Sequence, residues 1–90
     1  MKILVVEDDP TTGDYIAAGL RSEGHGVDLL VDGRAGLIAA QARDYDVIVL
    51  DRMLPGLDGL SVLRTLRAAG NGTPVLLLTA LGLVEDRIEG

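Results

Sequence analysis

The sequence predicts an α/β domain built on an open parallel sheet with helices on both faces. Four short segments, residues 3–6, 27–31, 47–50 and 75–78, read as strands. Three of them hold no polar residue, as strands buried on both faces require. The intervening segments place apolar residues three or four apart, so strand and helix alternate as β-α-β-α-β-α-β. Glu7, Asp8, Asp51 and Thr79 each fall at the end of a predicted strand, and in a parallel sheet those ends share one edge.

The first strand, residues 3–6, is followed by Asp9-Pro10, an N-cap with proline at the first helical position. The helix runs to about Glu23, with Ile16, Ala17 and Leu20 as a narrow apolar stripe and Gly24 as its stop. In the second strand Val27, Leu29 and Val31 alternate with Asp28, the pattern of a half-exposed strand. Asp32 can cap a second helix carrying Ala35, Leu37, Ile38 and Ala42, which Gly33 and Gly36 weaken.

Residues 47–50 form a third, fully apolar strand, and residues 51–59, with Pro55, Gly56 and Gly59, form a loop. Leu60, Leu63 and Leu66 mark a third helix, ended by Gly70-Asn71-Gly72. Pro74 opens the fourth strand, where its missing N–H costs least. Val84 and Ile88, four apart, predict the start of a fourth helix. The fourth strand would then keep a bare, apolar outer edge, a site for pairing with a second chain.

Ninety residues allow one domain. A net charge of −6 with eight scattered basic residues argues against binding of nucleic acid or anionic membrane by this stretch. No apolar run reaches the roughly 18 residues of a spanning helix, and no signal-peptide core follows Met1, which predicts a cytoplasmic chain. Without cysteine there is neither a thiolate metal site nor a cysteine nucleophile. Neither G-x-x-x-x-G-K-[ST] nor G-x-G-x-x-G occurs, so a nucleotide site is not indicated. Three acids and a hydroxyl on one sheet edge suggest magnesium and phosphate chemistry.

Three stretches together carry a resemblance: Lys2-Ile3-Leu4-Val5-Val6-Glu7-Asp8-Asp9, Tyr45 through Gly59 with Asp51-Arg52-Met53-Leu54-Pro55-Gly56 at its centre, and Pro74-Val75-Leu76-Leu77-Leu78-Thr79-Ala80. In this order and spacing the chain resembles the receiver domain of bacterial two-component response regulators. The resemblance implies a flavodoxin-like sheet of strand order 2-1-3-4, with the family's fifth strand and last helix missing from residues 1–90. It implies that Asp51 is the phosphoacceptor and Thr79 the switch hydroxyl. It further implies that Glu7, Asp8, Asp51 and the backbone carbonyl of Met53 hold Mg²⁺. The implied partner is a sensor histidine kinase, and the implied parent is a DNA-binding transcription regulator with a winged helix.

A carboxylate at a strand end can attack phosphorus and become an acyl phosphate, which suits Asp51 to that role. The family's strand-five lysine and aromatic have no counterpart here, since Lys2 is the only lysine. The expectation is therefore a form that binds Mg²⁺ but switches poorly. Two rivals follow from the same residues. An aspartate-nucleophile phosphohydrolase usually carries a second acid two positions on, where this chain has Met53. A phosphate-independent interaction module would bind its partner equally well with Asp51→Asn. Taken singly, Asp9 is a helix cap and His25, between two glycines, a surface turn residue.

Overall fold

The computed structural model describes residues 1–79 and 82–86. Its elements are β1 (Lys2–Val6), α1 (Pro10–Ser22), β2 (Gly26–Leu30), α2 (Gly33–Ala42), β3 (Val47–Asp51), α3 (Gly59–Ala68), β4 (Val75–Thr79) and β5 (Gly82–Asp86). They form one sheet of order β2-β1-β3-β4-β5. The first four strands are parallel and stand in the 2-1-3-4 order that the resemblance implied.

Side chains alternate across a strand, so each apolar run feeds two cores. Leu4 and Val6 of β1 join Ile48 and Leu50 of β3, Val75 and Leu77 of β4, and Val62 and Leu66 of α3 in the core beneath α2 and α3. Ile3, Val5 and Val49 point the other way, against Ile16 and Leu20 of α1. This two-sided burial is why residues 3–6 of β1 and 47–50 of β3 are all apolar.

Each helix begins on an aspartate. Asp9 accepts from the Thr12 amide at 3.1 Å, Asp32 from Ala35 at 2.8 Å and Asp58 from Ser61 at 2.9 Å. Each cap satisfies an amide that the first turn leaves without an intrahelical partner. The Asp58 cap lies inside the segment expected to be all loop.

Residues 82–86 correct two expectations. The predicted fourth helix does not start at Val84; Gly82–Asp86 pairs antiparallel with β4, from Val75↔Asp86 to Thr79↔Gly82. The outer edge of β4 is thus covered within the chain, and the bare edge expected to recruit a second copy is absent among the described residues. A helix starting at Val84 would leave the β4 edge groups unpaired, whereas an antiparallel strand satisfies them after a very short connection. Ile88 lies outside the described residues. Arg67 of α3 ties β5 down, donating to the Asp86 carboxylate at 2.8 Å and to the Asn71 and Thr73 carbonyls at 2.9 Å each. Its side chain is 19% exposed.

Candidate phosphoacceptor and metal site

β1 and β3 lie side by side, with Val6 opposite Leu50. Their next residues, Glu7 just past β1 and Asp51 closing β3, therefore stand together at the C-terminal edge of the sheet. Asp8 follows at the turn into α1. One carboxylate oxygen from each of Glu7, Asp8 and Asp51 lies within 4.8 Å of the other two. Glu7 is buried, Asp51 half-buried and Asp8 exposed, so the cluster grades from the core to solvent.

Burial pushes the Glu7 carboxyl up to about 7, aided by a side-chain hydrogen bond with Asp51 and by the negative charge of Asp51. The Asp9 amide, donating to Glu7 Oε2 at 3.4 Å, acts in the opposite direction. A carboxyl that keeps its proton near neutrality beside two other acids gains by exchanging that proton for a cation. The donor set is oxygen only and converges from three residues, which fits a hard divalent ion of the Mg²⁺ or Ca²⁺ kind.

The β3–α3 loop borders the acidic cluster through Met53. Met53 donates its amide to Asp51 Oδ1 at 3.2 Å, fixing one face of that carboxylate. Gly59 closes the base of the loop, its amide bonded to the Arg52 carbonyl at 2.9 Å. A Cβ on Gly59 would lie 2.9 Å from the Asp51 carbonyl carbon, so no larger residue fits there without displacing the end of β3. On the other side, Asp51 pairs with Leu78, and Thr79, half-buried, ends β4 one residue further along the same edge.

Comparison with known proteins agrees with this geometry. The family model described as the response regulator receiver domain matches residues 3–90. The chain belongs to the response regulator receiver family. The receiver is 50% identical over 90 residues to the probable transcriptional regulatory protein SilR of Salmonella typhimurium, covering all of this chain and 40% of SilR. It therefore spans less than half the length of that relative. The Francisella response regulator 1452 receiver domain superposes with a TM-score of 0.86 at 39% identity, over 89% of this chain and 66% of that one. The receiver domain of the sensor histidine kinase PA1611 from Pseudomonas aeruginosa PAO1 gives 0.83 at 43% identity, over 88% and 66%. That structure carries a magnesium ion coordinated in its active-site cleft.

The receiver fold thus brings together Glu7, Asp8 and Asp51 as expected, with Met53 touching Asp51 through its amide and Thr79 on the adjacent strand end. Among the described residues, no helix is long and apolar enough to cross a membrane. The sequence reading missed Asp58 as the cap that orients α3 behind the loop; the run Asp58-Gly59-Leu60-Ser61, a capping aspartate three residues ahead of a serine, was its signal.

Proposed function

We propose that this receiver accepts a phosphoryl group on Asp51 from a sensor histidine kinase and passes the change on to a transcriptional output. The convergence of Glu7, Asp8 and Asp51 within 4.8 Å at the end of the sheet carries the reading. A carboxylate oxygen of Asp51 attacks the phosphorus of a phosphohistidine. The P–O bond forms as the P–N bond breaks, and the imidazole leaves and takes up a proton. The product is an acyl phosphate on Asp51.

Asp8, Asp51 and, from the buried side, Glu7 would hold Mg²⁺, with the Met53 carbonyl supplying a further oxygen. When bound, the ion screens the acceptor from the phosphoryl oxygens and offsets charge in the transition state. Met53 orients the Asp51 carboxylate through the 3.2 Å amide bond, which leaves its other oxygen for attack. Thr79 stands on the neighbouring strand end to bond the phosphoryl oxygen and register its arrival. The chain is in this reading a substrate that assists its own modification and its reversal, without turnover of small molecules. The name of the relative SilR, a probable transcriptional regulatory protein two and a half times as long, supports a receiver unit working within a longer regulator of transcription.

Incubation with acetyl phosphate and Mg²⁺, followed by mass mapping, tests the assignment. One labile phosphoryl adduct on Asp51, lost in Asp51→Asn, is the expected result. A label elsewhere would remove Asp51 from the role. Sustained release of phosphate from small phosphoesters would favour a hydrolase instead.

A further inference from the structure

We propose that Gly33, at the start of α2, is a positioning residue for Asp51, acting through the β3–α3 loop. The proposal rests on the reading of the acidic site given above and adds a residue outside it. Gly33 is buried, and its amide donates to the Pro55 carbonyl at 3.1 Å. A Cβ placed on Gly33 would overlap the Leu57 carbonyl oxygen and lie 2.6 Å from its carbon. That neighbour is backbone, so relief requires the loop or the helix to move. The φ angle of Gly33 is not positive, so the position needs the absent side chain and not an unusual backbone.

The loop so held is short and tied at three points. Gly33 fixes its tip through Pro55, Gly59 fixes its base through Arg52, and between them Met53 reaches Asp51 Oδ1. Gly56, at the tip, adopts φ +80°, and a Cβ built there would meet the Arg34 and Asp32 side chains at 3.8 and 3.9 Å. The helix that starts at Gly33 therefore sets where the loop tip rests, and the loop sets how Met53 meets the carboxylate. In a metal site, groups that orient the ligands without touching the ion commonly change affinity about 10- to 100-fold when altered.

Gly33→Ala is the test, read by backbone amide NMR and by Mg²⁺ titration. Alanine favours helix more than glycine does, so α2 itself is not weakened by the change. The expected result is a folded chain in which the amide signals of residues 52–58, Met53 above all, shift before any ion is added, and in which the Kd for Mg²⁺ rises about tenfold or more. If the single variant unfolds, it is placed in a Gly19→Ala background, because a Cβ on Gly19 meets nothing within 4 Å and adds only helix propensity. Unmoved loop signals with unchanged Mg²⁺ affinity would overturn the proposal. Shifted loop signals with unchanged affinity would also overturn it, by separating the loop from the ion. Failure of the wild-type chain to respond to Mg²⁺ would instead overturn the cation-site reading, and the role of Gly33 with it.

Discussion

Asp51 pairs with Leu78 across β3 and β4, and the Arg52 amide bonds the Leu78 carbonyl at 3.0 Å. This register places Thr79 one step past Asp51 on the adjoining strand, where a one-residue slip would turn its side chain to the opposite face. Thr79→Ala should therefore leave Mg²⁺ affinity unchanged and still permit acetyl phosphate labelling of Asp51. It should abolish most of the chemical-shift change that labelling produces along β4. Stability should fall by about 1 kcal/mol, the usual size of a single-residue truncation at a half-buried position, as read by urea unfolding.

Magnesium should raise the melting temperature. At 100 times its Kd, a ligand bound only by the folded state adds about 2.7 kcal/mol, or roughly 10–20 °C for a domain of this size. Asp8→Ala and Asp51→Ala should each remove most of that increase in differential scanning calorimetry. An undiminished increase in both would locate the ion elsewhere.

The cation-free chain should lose stability as pH rises from about 4.5 to about 7. Glu7 is lifted from 4.5 to about 7 by burial first, so the folded state binds its proton more tightly than the unfolded state does. Its favourable contribution is complete below about 4.5, declines between 4.5 and 7, and is gone above that window. The total change should be about 1–3 kcal/mol. Glu7→Gln should flatten the curve in that range, and saturating Mg²⁺ should flatten it in the wild type. Asp9, Asp28 and Asp58 are shifted the other way, chiefly by hydrogen bonds from Thr12, Tyr45 and Ser61, so their losses begin only as pH falls toward 3.8 and below.

Arg67→Ala should destabilise the chain by about 2 kcal/mol or more, because it strips the Asn71 and Thr73 carbonyls of a charged donor as well as breaking the pair with Asp86. Asp86→Asn should cost under about 1 kcal/mol, since the Asp86 side chain is 43% exposed and such pairs are screened. Arg67→Lys should recover little, as an ammonium cannot span the three acceptors that the guanidinium fork reaches. Chemical denaturation of the three variants orders these effects.

Much of the architecture was legible because it is written locally. Ile3 to Val6 and Val47 to Leu50 are apolar throughout, which marks a strand packed on both sides, and Asp9-Pro10 marks a helix start. The acids at the strand ends were legible for the same reason: a polar residue ending an apolar run marks where the strand passes out of the packed layers to the edge of the sheet, even where, as at Glu7, the side chain stays buried. The segment after β4 was misread because Val84 and Ile88 carry a helical spacing, while what governs residues 82–86 is the partner they find along β4. Gly33 was legible only as a weak helix residue, since its closeness to Leu57 depends on two segments far apart in sequence. Tyr45 likewise gave no sign that its hydroxyl donates to Asp28 at 2.6 Å.

That Tyr45–Asp28 bond, with Arg43 on the same carboxylate at 3.1 Å and Asp46 receiving the Lys2 amide, lies toward the N-terminal ends of β1 and β3, away from the acids at their C-terminal ends. Polar groups at one pole of the molecule thus brace neighbouring segments, while the acids at the other converge on one another. Sequence drift at the braced pole can trade robustness up or down and leave the chemistry untouched. A scaffold divided in this way can be retuned for a hotter or colder host without relearning its signal.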